Sequence, residues 1–98
     1  MKLTFLKLAE KELDDAFAYY ESVQQGLGFR FLSELELSIK RIQNYPLSYE
    51  RIGHYSRRCL IQKFPYGLIY QYSEPQNEVL IVAVSHLHRK PEYWINRE

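Results

Sequence analysis

Apolar residues recur with a helical period twice in the first half of this chain, and a pair of glycines separates the two runs. Ala9, Leu13, Ala16, Phe17, Tyr20 and Val23 fall at i, i+4, i+7, i+8, i+11 and i+14, which places them on one helix face. Phe31, Leu32, Leu35, Ile39 and Ile42 form a second stripe, with Glu34, Glu36, Lys40 and Arg41 mostly off it. Gly26 and Gly28 stop the first helix. Asn44-Tyr45-Pro46 ends the second, because the residue before a proline is pushed out of the helical region. So short a link makes the two helices an antiparallel hairpin. Glu10, Glu12, Asp14 and Asp15 crowd the first turns, where acids suit the helix dipole. Lys7 and Leu8 offer no capping side chain, so the pattern places the start only to within a few residues of Ala9.

The remaining segments read as strands. Residues 2–6 alternate weakly. After a loop over 46–56, Arg58 to Phe64, Leu68 to Ser73 and Glu78 to Ser85 are β-like runs. Pro65-Tyr66-Gly67 and Glu74-Pro75-Gln76-Asn77 are hairpin-length links. The expected fold is α+β, in the order β-α-α-β-β-β, with the helical hairpin on one face of a mostly antiparallel sheet. Pro91 is suited to open a short final helix carrying Tyr93, Trp94 and Arg97. With 98 residues, one domain over 1–98 is the expectation.

The longest apolar run, Val79 to Val84, is far too short to span a bilayer. Met1-Lys2-Leu3-Thr4-Phe5 lacks the apolar core of a signal peptide. Cys59 is the sole cysteine, so no internal disulfide forms. A cytoplasmic protein without membrane contact is expected. Charge is split unevenly. Residues 1–50 hold six lysines and arginines against eight acids, and residues 51–98 hold seven against four. All three histidines, His54, His86 and His88, lie in the second half. That asymmetry suits nucleic acid or an acidic protein segment.

The candidate residues cluster accordingly. Metal-free RNA cleavage needs a base, an acid and cations for the charge developing on phosphate. Histidine is a residue type that serves as base or acid near neutral pH, which brings in His86 and His88, and Arg58 and Arg89 can fork onto phosphate oxygens. Tyr93 and Trp94 can stack on a base. Each has a plainer reading. His86 caps a sheet edge, His88 is a solvated tip, and Trp94 docks the C-terminal segment on the sheet. Arg57 and Arg58 point to opposite sides of a strand, so at most one reaches a given site. The other is expected to pair with Glu34 or Glu36. Cys59 reads as a small buried residue. His86-x-His88 lacks further ligands at zinc spacing, so no metal or other cofactor is expected.

The ordered set of Ala9–Tyr20, Gly26-Leu27-Gly28, Phe31, Leu35, Ile39 and Tyr45-Pro46 resembles the RelE/ParE superfamily of bacterial toxins. So do Arg57-Arg58-Cys59-Leu60-Ile61 and Phe64-Pro65-Tyr66-Gly67-Leu68-Ile69-Tyr70. Ile81 through His86, with Arg89, Pro91 and Trp94, completes the likeness. The ending from His86 to Trp94 is closer to the ParE-like, plasmid-stabilisation branch. The resemblance implies the toxin of a type II toxin–antitoxin module, held inactive by a partly disordered antitoxin. It implies one of two targets: DNA gyrase, in ParE-like fashion, or mRNA in the ribosome, in RelE-like fashion. A non-toxic relative with a degenerate site is the third reading. In the nuclease reading His86, Arg58 and Arg89 are catalytic, with His88 and Tyr93 as alternates. Arg57, Lys63, Lys90, Tyr93 and Trp94 are the expected contacts to target or nucleic acid. Lys63 is the one lysine in the three expected strands of the second half, which is few for a RelE-like nuclease.

Overall fold

A computed structural model describes all residues, 1–98. The elements are β1 (Lys2–Phe5), α1 (Lys7–Val23), α2 (Leu27–Asn44), β2 (Glu50–Ile52), β3 (Ser56–Leu60), β4 (Tyr66–Ser73) and β5 (Glu78–His86), with a 3-10 turn at Ile95–Arg97. The strands form one five-stranded sheet in the order β1-β5-β4-β3-β2. β1 runs parallel to β5 and every other pair is antiparallel. The α+β class and the hairpin-on-sheet arrangement are as the sequence predicts.

The helical hairpin closes through a carboxylate and a missing side chain. Glu21 of α1 accepts hydrogen bonds from the Gly26 and Gly28 amides at 3.2 and 2.7 Å. It thereby satisfies donors that the start of α2 leaves open, and its charge suits that helix end. A Cβ at Gly28 would lie 2.6 Å from Glu21 Cγ and 2.8 Å from Phe17, so glycine is what lets the helices approach there.

Ala9 and Ala16 of α1 and Phe31, Leu35 and Ile42 of α2 bury against Cys59, Leu68, Tyr70, Val79, Ile81 and Val84. Phe31 sits among the rings of Tyr20, Phe64 and Tyr66, with centroids 5.2–5.4 Å away and the last two edge-on. The Tyr70 hydroxyl donates to the Pro46 carbonyl at 2.7 Å, and burial pushes its pKa up. The opposite sheet face carries a smaller cluster of Ile69, Val82, Ala83 and Trp94.

Several expectations need correction. The stretch 46–56 contains a strand, β2, too short to show a period; its Glu50 lies opposite Arg58. The third strand begins at Ser56 and stops at Leu60, because Lys63 takes a positive φ of 71° and turns the chain. The final helix is only the 3-10 turn. Val23, placed on the apolar stripe, is 58% exposed. α1 starts at Lys7, within a few residues of Ala9 as expected, and its first turn has no side-chain cap.

Candidate functional site

β1 accompanies β5 only as far as Ile81, so residues 82–86 of β5 have no strand on that side. The C-terminal segment fills the gap. Residues 87–98 leave the end of β5, turn back through Glu92, whose φ is 58°, and finish against the β2–β3 turn. This strap is fixed at three points.

The first is Glu12 of α1. Its Oε1 accepts from the Val84 amide at 3.0 Å and from Arg97 at 2.9 Å. Its Oε2 accepts from the Tyr93 hydroxyl at 2.6 Å and from Arg97 and Arg89 at 3.1 Å each. Arg97 thus grips the carboxylate with two nitrogens and also donates to the Val82 carbonyl at 3.1 Å. Together Glu12 and Arg97 occupy polar groups of β5 that a neighbouring strand would otherwise pair. The Tyr93 ring lies 3.6 Å from the Arg89 guanidinium and 5.2 Å from that of Arg97. Burial, and then the bond to Glu12, push the Tyr93 phenol up to about 12.

The second point is Trp94, which is 2% exposed and packs on Ile69, Val82 and Ala83. Gly53, at φ 68°, makes room for it; a Cβ there would lie 2.7 Å from the indole. The third is Glu98, whose carboxylate accepts from the His54 and Tyr55 amides at 3.1 and 3.0 Å and from the Ser56 hydroxyl. Burial would raise this carboxyl, but the Ser56 hydroxyl and the two amides outweigh it and hold the pKa below the ordinary glutamate value.

The residues expected to act together do not all meet. Arg89 and Tyr93 converge on Glu12. His86 packs edge-on against Tyr66, centroids 5.0 Å apart, and the His88 ring is 5.1 Å from it. His86 Nδ1 accepts the His88 amide at 3.1 Å, which assigns the ring proton of the neutral form to Nε2. Arg58 lies elsewhere. It stands opposite Ile69, on the sheet face away from the helices, whereas Tyr66 and His86 face the helix side. Its ion pair is with Glu50 at 3.3 Å, not with a helix acid. Arg57 donates to the Tyr49 carbonyl at 2.9 Å, so neither arginine makes the pair with Glu34 or Glu36 that was expected of one of them. Glu34 instead meets Lys63, at 3.5 Å. Lys90 is exposed in the strap, while Trp94 is spent on the sheet and presents no ring to a partner.

Glu12, Arg97, Ser56 and Glu98 were not among the expected site residues. A signal for Glu12 exists in the sequence. It lies three residues after Ala9 and four before Ala16, both buried, so the acid sits within the apolar stripe rather than off it.

The family model for the ParE toxin of the type II toxin–antitoxin system parDE matches residues 3–91. A solved structure described as the chromosomal ParDE TA system from P. aeruginosa superposes with a TM-score of 0.72 at 14% identity, covering 90% of this chain and 97% of that one. At that identity the likeness speaks for the fold. No curated protein matches the chain in sequence. The family match runs from β1 through β5 and into the strap, so this chain belongs to the ParE toxin family of type II toxin–antitoxin systems.

Proposed function

We propose that this chain is a toxin that acts by binding, inhibiting DNA gyrase through residues 86–97 and the adjoining sheet. The observation that carries the reading is the arrangement of the cations. Arg89 and Arg97 are tied to Glu12 and Tyr93, and Arg58 points from the other face of the sheet. Acid–base cleavage of RNA needs a base, an acid and phosphate-binding cations converging on one point. Here Arg58 stands apart from Arg89, and the Glu12 carboxylate engages the Arg97 guanidinium, the Tyr93 hydroxyl and one nitrogen of Arg89. A built, largely pre-formed surface with Lys90, Arg89 and His88 exposed on it suits recognition instead.

Neutralisation by a cognate antitoxin belongs to the same reading. Leu8, Tyr19, Val23, Phe29 and Leu37 of the helical hairpin are 46–62% exposed. A disordered, acidic and amphipathic antitoxin segment that folds across the hairpin and sheet would cover them.

The test is brief induction in a bacterial host with separate labelling of DNA and protein synthesis, followed by a supercoiling assay with purified gyrase. Arrest of DNA synthesis and loss of supercoiling are expected. A fall in translation with DNA synthesis intact would replace this reading with ribosome-dependent mRNA cleavage.

A further inference from the structure

We propose that Glu12 is the positioning residue of the target-contacting strap: one helix carboxylate sets where Arg89, Tyr93 and Arg97 stand. The inference rests on the reading that residues 86–97 meet the target.

Three observations carry it. Glu12 is only 13% exposed on its side chain, yet its two oxygens accept five hydrogen bonds, from Val84, Arg89, Tyr93 and twice from Arg97. The contacts span 72–85 residues of sequence, so they tie the helix layer to the far end of the chain. They also select among the charges of the strap. Arg97 is 15% exposed and commits both terminal nitrogens to the carboxylate and the Val82 carbonyl, whereas Arg89 is 52% exposed and gives Glu12 a single nitrogen. Arg97 is the anchor, and Arg89 is held at the surface with donors to spare. Tyr93 lies beside both guanidinium groups, its hydroxyl on the same carboxylate oxygen as Arg89. Remove the negative charge and two arginines are left beside one phenol with no carboxylate between them, Arg97 largely buried and without its ion-pair partner. Trp94 and Glu98 would still hold the end of the strap, but residues 86–93 would lose their reference to α1.

The test uses the full chain with Glu12→Gln, which keeps the shape and removes the charge. Trp94 is the sole tryptophan, so its emission reports the strap directly. The expected result is a red-shifted Trp94 emission and amide exchange over residues 87–98 faster by roughly tenfold, with helical amides and far-ultraviolet dichroism unchanged. Inhibition of gyrase should weaken by roughly the same factor. Strap exchange and emission equal to those of the parent would overturn the proposal. So would a loosened strap with inhibition intact. Should the parent chain leave gyrase untouched, the target reading falls alone, and growth arrest on induction becomes the activity readout for Glu12. Arrest lost in Glu12→Gln then supports the proposal, and arrest retained overturns it. If that variant does not fold, Arg97→Lys keeps the charge and loses the two-nitrogen grip. A smaller shift in the same direction is expected, and none at all counts against the proposal.

Discussion

The helical hairpin and the C-terminal strap are both held against the sheet, but by different forces. The hairpin is fastened by area: Phe31 inside a ring of aromatics, with Ala9, Ala16, Leu35 and Ile42 pressed on strand side chains. The strap has one large apolar anchor, Trp94, and otherwise depends on two carboxylates, Glu12 and Glu98. Apolar burial is non-directional and tolerates small shifts. A carboxylate gripping two arginines, a phenol and an amide fixes position closely but contributes less net stability. On the function proposed above, a toxin covered by an antitoxin and meeting a separate target has reason to combine a robust body with an accurately placed edge.

The contrast can be broken most severely from the apolar side. Phe31→Ala should cost about 4 kcal/mol of global stability, read from urea unfolding followed by far-ultraviolet dichroism, since the aromatic cavity collapses poorly. If that loss were confined to the strap, the two regions would not be separate in the way described. Gly53→Ala should cost about 2 kcal/mol, through its positive φ and the clash with the Trp94 ring. Here Trp94 emission should shift before the dichroism does on mild heating.

Ser56→Ala sharpens the picture on the polar side. Losing one bond to the Glu98 carboxylate should cost about 1.5 kcal/mol. Because the folded pKa of Glu98 lies below its unfolded value, its contribution is present above the ordinary glutamate pKa and is lost as pH falls through the folded value. Trp94 emission titrated into the acid range should therefore move while the helices persist, and Ser56→Ala should shift that transition to higher pH. The smallest effect belongs to Lys11→Ala. The Lys11–Asp15 pair, at 2.9 Å, is about two-thirds exposed on both sides, and its removal should change stability by less than about 0.5 kcal/mol.

The same contrast explains what could be read in advance. Periodicity reports on faces buried by area, so it located both helices, most of their apolar stripes and the β4–β5 hairpin, while the burial of Cys59 is read from residue type. It is silent on polar contacts between distant residues. Glu12 reads as a dipole acid because three other acids surround it, and nothing local links it to Arg97, 85 residues later. Arg58 and Arg89 look like one cationic group in the sequence and lie apart in the fold, because that depends on which sheet face each strand residue takes. β2 escaped notice because three residues carry no period, and the turn at Lys63 because its positive φ has no glycine to advertise it.

One irregularity in β5 has a consequence for how this edge can change over time. Ile69 lies opposite Ala83 and Tyr70 opposite Ile81, so Val82 is an extra residue with no partner. It switches the parity of everything after it. Ile81 faces the helices, Val82 and Ala83 both meet Trp94, and Val84 and His86 return to the helix side. A one-residue deletion there would remove the bulge and restore regular alternation, leaving Val84, Ser85 and His86 on the sides they already take. The bulge therefore works as slack in β5: the strand can lose this residue and still deliver His86 and the segment after it to the same side of the sheet.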